Sequence, residues 1–276
     1  PTPHFDAREN RNMGFWSYPV DEFTWEFIPL GKGKVLDTNE LRQRGFDAVF
    51  HEDGGSWTDY AGHAIPTIFY AIDSTLSDEF HYRPRLEQAR KADLVLVDHD
   101  DLARFPNSRR LSHCVNDRVF KPLGKSLDVC FHCGSSPERA AMREALHQLC
   151  ALRGYSYRSG VIGLADYARD MGQARIVVNV PRTPTNRPHR VFDAMACGAC
   201  LVTLPLPEVS GEARQAGCDY LEYPDEAALV RALPTLLDGL DWLDTIQSGL
   251  VLVRERHTWA VRARELRALL AETLGV

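Results

Sequence analysis

Val177-Val-Asn-Val-Pro-Arg-Thr-Pro-Thr-Asn-Arg-Pro-His-Arg-Val-Phe-Asp-Ala-Met-Ala-Cys-Gly-Ala-Cys-Leu-Val-Thr203 reads as a buried strand, a polar loop, a short helix and a second strand. Pro188 falls where the first turn of the helix should lie, a position that tolerates the missing N–H. The helix start then points free backbone N–H groups and a partial positive charge at whatever fills the loop, and a phosphate suits that place. Arg190 and Asp193 are three apart and share a helix face, which sets a cation beside the phosphate and a carboxylate one turn deeper, where a ribose hydroxyl pair can bridge to it. Gly198 ends the helix, and Ala194, Ala196 and Ala199 permit close packing on a sheet. The same residues also read as an ordinary amphipathic helix carrying a surface Arg–Asp pair.

Working outward, Phe131-His-Cys-Gly-Ser-Ser-Pro-Glu-Arg139 has the form of a second anion-ready helix start. Gly134 allows a tight turn, Ser136 can cap, Pro137 fits the first helical position, and Arg139 lies in the first turn. Both constellations belong at the carboxyl ends of parallel strands, the edge where open α/β sheets place ligands. By itself, a Gly-Ser-Ser-Pro turn requires no ligand.

The rest of the chain alternates strand and helix signals, which predicts an α/β fold with parallel sheets. Strands are expected at 24–29, 47–51, 66–71, 94–97 and 109–112, with helices at 37–45, 79–91 and 98–105. The aperiodic Phe120-Lys-Pro-Leu-Gly-Lys125 segment reads as an interdomain linker. Beyond it, strands are expected at 127–133, 175–180, 200–204 and 219–222, helices at 137–153, 162–171, 189–197 and 225–237, and one last helical region at 239–272. The expectation is two Rossmann-like domains: a reduced N-terminal domain (1–122), whose opening 20 residues show no clean first strand, and a second domain (126–255), with a terminal helix (256–276) crossing back to brace the first.

A chain of 276 residues, 44% hydrophobic and 25% charged, can bury a sizeable core. The net charge of −6 argues against a surface devoted to duplex nucleic acid. Local groups (Arg83/Arg85/Arg90, Arg104/Arg109/Arg110 and Arg182/Arg187/Arg190) can still meet anions or serve as solvated faces. No run approaches the roughly 18 apolar residues of a membrane span, and Pro1–Glu9 lacks the features of a signal peptide, so a cytoplasmic protein is expected. Seven cysteines, an odd number, point to reduced thiols. A zinc site would need Cys130/Cys133 and Cys197/Cys200 to converge; strand alternation sends Cys130 and Cys133 to opposite faces, and core packing is the expected role of all four. Asp98-His-Asp-Asp101 packs hard ligands together, but adjacent residues point apart, and the run is expected to cap a helix start.

These segments also carry a resemblance. Arg190 to Thr203 resembles the R-x-F/L-E-A-M-A-x-G segment of glycosyltransferases with the GT-B fold, nearest to the CgeB-like, spore-maturation type. Leu111–Pro122 resembles the interdomain passage of that family, Leu127–Arg139 its strand and loop, and Glu255–Arg264 its terminal helix, so the likeness covers about 85–276. It implies a sugar moved from a nucleotide diphosphate donor, with the diphosphate at Gly134, Ser135, Arg139 and Arg190 and the ribose at Asp193, where the family usually has Glu. Arg187, in the loop before the helix, joins the donor-binding set. His113 either contacts donor phosphate or orders the hinge. A related retaining branch has a carboxylate where Thr185 stands here, so the resemblance leaves the stereochemistry open.

Paired arginines and helix starts can stabilise a leaving diphosphate without a metal, so no cofactor and no metal are expected. An acceptor hydroxyl needs a base or a donor phosphate acting as one. Asp73, directly after an apolar strand, is the preferred base, followed by His51, Asp53 and His81; each reads equally as a capping or solvated residue, and Gly54-Gly55 as a plain turn. The expected function is a metal-independent glycosyltransferase using a UDP-, GDP- or similar sugar, with a glycan, small molecule or modified DNA base as acceptor. The alternatives are a non-catalytic nucleotide-sugar or glycan-binding module, motivated by Thr185 and the short first domain, and a transferase acting on modified bases in DNA, motivated by the first domain's arginines. A dehydrogenase is disfavoured because no G-x-G-x-x-G follows a strand.

Overall fold

Apolar runs without alternation mark strands buried on both faces, and Thr67–Ala71 and Leu94–Val97 are the clearest: every residue in both is buried. The computed structural model describes residues 23, 35–52, 59–71, 85–98, 104–134, 136–181, 188–207, 215–240 and 242–275. The described residues divide into two compact units, 35–113 with 260–275 in one, and 114–207 with 215–259 in the other. Among them no helix is long and apolar enough to cross a membrane.

In the first unit, β1 (Val35–Asp37) leads into α1 (Thr38–Gln43), whose N-cap Asp37 accepts the Asn39 N–H at 2.8 Å. There follow β2 (Val49–Glu52), β3 (Asp59–Ala61), β4 (Thr67–Ala71), a helical stretch 85–89 (α2), β5 (Leu94–Val97) and β6 (Ser108–Arg110). The order β2-β4-β5-β6 makes one wholly parallel sheet, with Ile68 opposite Leu94 and Val97 opposite Arg110. Leu86 and Ala89 of α2 pack against Phe69, Val95 and Phe105, so the apolar stripe read from the sequence faces this sheet. The small parallel pair β1-β3 was not anticipated. Three-residue strands exposed at both ends carry no apolar alternation to read. The expected strand at 24–29 and most of the helix at 98–105 lie outside the described residues.

The second unit contains β7 (Leu127–His132), α3 (Pro137–Arg153), β8 (Tyr157–Gly160), α4 (Leu164–Gln173), β9 (Ala174–Asn179), α5 (Arg190–Ala196), β10 (Cys200–Thr203), β11 (Leu221–Glu222), α6 (Glu226–Asp238) and α7 (Leu243–Arg256). Its parallel sheet runs β11-β10-β9-β7-β8. Alternation sorts the two faces. Cys130, Val177 and Leu201 pack with α4, α5 and α7, whereas Val129, Ile176, Val178, Cys200 and Val202 pack with α3 and α6. β8 escapes the sequence reading because it is an edge strand of mostly intermediate exposure, lacking an apolar run.

The single helical region expected at 239–272 is two helices, α7 and α8 (Trp259–Leu274). Val115 breaks it: its N–H donates to His257 O at 2.8 Å and its carbonyl accepts the Trp259 N–H at 3.1 Å, a strand-like bridge that takes Thr258 out of helical geometry. From Ala260 onward α8 belongs with the first unit.

The aperiodic segment after Phe120 lies within the second unit and is firmly held. Leu123 and Ser126 donate backbone N–H groups to Gly172 and Gln173 carbonyls, and Lys125 Nζ reaches Gly172 O and Cys197 O at 3.0 Å each, closing the C-terminal ends of α4 and α5. Gly172 permits this approach, since a Cβ there would stand 2.8 Å from Lys121 O and 2.9 Å from Leu123 Cγ. Gly172→Ala is expected to destabilise the protein by about 1–3 kcal/mol, the cost of overpacking. The midpoint of urea unfolding, compared at unchanged slope, checks this.

Candidate functional site

The site is built at the carboxyl end of β9. An apolar strand ends there in Asn179, fully buried, and an uncompensated buried amide is costly, so its neighbours must satisfy it. They do so in one direction: Arg190 Nη1 donates to Asn179 Oδ1 at 2.8 Å, Asn179 Nδ2 donates to Thr203 Oγ1 at 2.9 Å, and Thr203 Oγ1 donates to Leu204 O at 2.7 Å. Arg190 Nε, also buried, has no hydrogen-bond partner among the described residues.

The second helix start reaches the same place. Ser136 caps α3 by accepting the Arg139 N–H, and Pro137 occupies its first turn. Arg139 then extends its side chain to Val180 O, with Nε at 3.1 Å, and its Nη1 lies 3.9 Å from where a Cβ on Gly134 would be. The turn after β7 and the start of α5 thus send guanidinium groups to adjoining residues, Val180 and Asn179.

Beneath them lies a buried polar layer. Asp193 is 6% exposed, and its Oδ2 accepts the Tyr167 hydroxyl at 3.1 Å. Burial pushes its carboxyl from the ordinary 3.8 up to about 7, against the Tyr167 hydrogen bond and the Arg190 charge, which both pull it down. Burial raises the Tyr167 phenol well above its usual range, so it stays a donor. The Tyr167 ring meets Phe120 and His132 edge-on. His132 in turn places Nε2 3.0 Å from Asp170 Oδ2 and Nδ1 3.3 Å from Gly160 O, and Asp170 also accepts from Arg158. Burial lowers the His132 pKa, with Asp170 opposing the shift.

One alternative reading of the sequence is set aside here. Arg190 and Asp193 do not form a surface pair: all seven residues of α5 are buried, and the two side chains turn to different partners. The reason is coverage, because α5 packs between α4 and α7 on the sheet, and His257 adds a ring stacked on Phe192 at 4.3 Å between centroids. Asp98, whose expected capping role falls on a helix start outside the described residues, is fully buried and pairs with His113, accepting its N–H at 2.7 Å with the Nε2 also 2.7 Å from Oδ2. Arg262 Nη2 meets the His113 carbonyl at 3.5 Å, so His113 is an ordered group of the first unit.

Of the expected bases, His51 stands on β2, its Nδ1 3.2 Å from the Tyr60 hydroxyl, which receives Gln88 Nε2 at 3.2 Å. Asp53, Asp73, His81, Ser135, Thr185 and Arg187 lie outside the described residues. Cys130 and Cys197 face one side of the second sheet, Cys133 and Cys200 the other. Tyr167, His132, Asp170 and Asn179 were missed by the sequence reading. His132 and Asn179 had a signal, a polar residue closing an apolar strand, whereas Tyr167 and Asp170 sit in a helix with nothing to mark them.

The sequence pattern of the glycosyl transferase-like family matches residues 117–268, the stretch that carries this whole arrangement. The chain belongs to that family. No curated protein matches this glycosyltransferase. Among solved structures, Anabaena HepE in complex with UDP and glucose superposes with a TM-score of 0.61 at 13% identity, over 85% of this chain and 81% of that one. Sucrose-phosphate synthase from Thermosynechococcus elongatus gives 0.57 at 14% identity, over 86% and 76%. The pneumococcal O-GlcNAc transferase GtfA in complex with UDP and GlcNAc gives 0.53 at 10%, over 77% and 53%. The likeness is one of fold: the α/β architecture of parallel sheets and helices shared by GT-B glycosyltransferases.

The raised Asp193 pKa has a thermodynamic consequence. Between about pH 4 and about pH 7 the folded state binds more protons at this carboxyl than the unfolded state, so its contribution to stability falls as pH rises through that window and then levels off. Asp193→Asn is expected to remove that slope. Unfolding free energies of the two proteins, measured across the window, should converge at its acid end and separate towards neutrality in favour of the variant.

Proposed function

We propose that this glycosyltransferase, of the CgeB-like type, takes its sugar from a nucleoside diphosphate donor, uridine diphosphate sugars foremost, and passes it to an acceptor hydroxyl without a metal. The observation that carries the reading is the meeting of Arg139 and Arg190 at Val180 and Asn179. Arg139 stands in the first turn of the 17-residue α3, where the helix dipole disfavours a cation. Arg190 keeps an unpartnered buried donor. A diphosphate would offset both, accepting hydrogen bonds while its charge balances the two guanidinium groups.

In this reading Gly134 lets the phosphate approach the α3 start, with Ser135 and Arg187 completing the cradle and Asp193 taking the ribose. The two arginines supply in the transition state the charge stabilisation that a divalent ion gives elsewhere. Asp73, His51 and Asp53 are proposed for the acceptor proton, and His51 would act through the ring nitrogen not engaged by Tyr60. HepE and GtfA, solved with UDP, support a uridine donor.

Calorimetric titration with UDP, GDP and ADP tests the reading, and silence from all of them would overturn it. Arg190→Ala is expected to weaken binding of the preferred diphosphate by about 1–3 kcal/mol, the worth of a charged hydrogen bond left unmade.

A further inference from the structure

Asp193 presents an accounting problem. A carboxylate has about four acceptor sites, yet among the described residues Tyr167 is its only side-chain hydrogen-bond partner, and Oδ1 receives none. A carboxylate with one such partner keeps acceptor capacity for a ligand. Tyr167 and Asp193 come from the first turns of α4 and α5, both at the carboxyl edge of the second unit's sheet. Tyr167 is half-buried and braced by Phe120 and His132, so its hydroxyl is held in place rather than free to follow Asp193.

We propose that Tyr167 is a positioning residue for the donor's ribose: by occupying Oδ2 it fixes the Asp193 rotamer whose Oδ1 takes the ribose hydroxyls. The inference rests on the nucleoside diphosphate reading above and deepens it at one contact. A second effect follows from the same bond. A hydrogen bond donated to a carboxylate favours its ionised form, which is the better acceptor for a diol, so Tyr167 also extends ribose binding towards lower pH. The ionisable groups around Asp193 and its neighbours are Tyr167 on α4, Arg190 on α5, Cys197 just after α5, Cys130 and His132 on β7, and His257, stacked on Phe192, after α7. Burial raises both thiols, Cys130 to about 12, which keeps them neutral across the range of interest. His132 touches the Tyr167 ring and not the carboxylate, so its own titration would not distinguish a ribose from a sugar lacking hydroxyls.

The test is a comparison of UDP with dideoxyuridine diphosphate, which lacks both ribose hydroxyls, on the wild type and on Tyr167→Phe at about pH 7 and about pH 9. Should GDP or ADP bind more tightly, that nucleotide and its dideoxy form replace them. Tyr167→Phe should weaken UDP by about tenfold at neutrality, less at the higher pH, and leave the dideoxy compound unchanged. An equal loss for both nucleotides marks a structural role and overturns the proposal, as does no loss for either. If the variant does not fold, the wild type decides: its preference for UDP over the dideoxy form should grow with pH, and an absent or pH-independent preference overturns the proposal. A wild-type protein that binds no ribonucleoside diphosphate fails earlier, and takes the donor reading with it; tight binding without ribose discrimination removes the Tyr167 role and the Asp193–ribose contact and leaves the diphosphate cradle standing.

Discussion

A guanidinium group kept inside the carboxyl edge of a parallel sheet governs the second unit. Arg190 is 9% exposed, and burying a charge costs several kcal/mol unless it is hydrogen-bonded. The compensation is a one-way relay from Arg190 through Asn179 and Thr203 to Leu204 O, in which each donor has one acceptor. Because Asn179 and Thr203 are the last residues of β9 and β10, the relay ties α5 to two neighbouring strands where both stop. Hydrogen bonds in such a chain polarise one another, so its members act as a unit.

The opposite edge of the same sheet is organised by the reverse polarity. There the C-terminal carbonyls of α4 and α5 meet one cation, Lys125, whose pKa burial lowers to about 8. A positive charge at helix ends suits their dipoles and closes that edge structurally. At the carboxyl edge cations stand instead at helix starts. The two edges thus carry cations in opposite relation to the helix dipoles, with a buried core of Val177, Met171, Phe192 and Leu201 between them.

A polar layer under the arginines links several of the buried groups. Tyr167 contacts both the Asp193 side and the His132–Asp170 side, so the end of β7 and the helix α5 are joined through one ring. Burial raises the Asp193 carboxyl to about 7 against two partners that favour its charged form. In the first unit Asp98 and His113 make a comparable buried pair, held by the Arg262 contact from α8.

The amino-acid sequence by itself determined the elements that a buried parallel sheet requires. The apolar runs read as strands at 66–71, 94–97, 127–133 and 175–180 are strands in the structure to within a residue at either end, and Ser136-Pro137 and Gly198 set helix limits by capping chemistry that is local. Arg139 and Arg190 were legible for the same reason, as cations at helix starts. Only the tertiary structure decided what those cations and their neighbours touch. Coverage by α4 and α7 turned a helix that reads as amphipathic into a buried one, Val115 cut one terminal helix into two, and edge strands such as β8 formed by pairing with β7 rather than by any apolar pattern of their own. The partners Tyr167 for Asp193 and His113 for Asp98 come from residues 26 and 15 positions away in the chain. Periodicity reports which face of an element is apolar, but not which distant side chain will complete the hydrogen bonds of a buried charge.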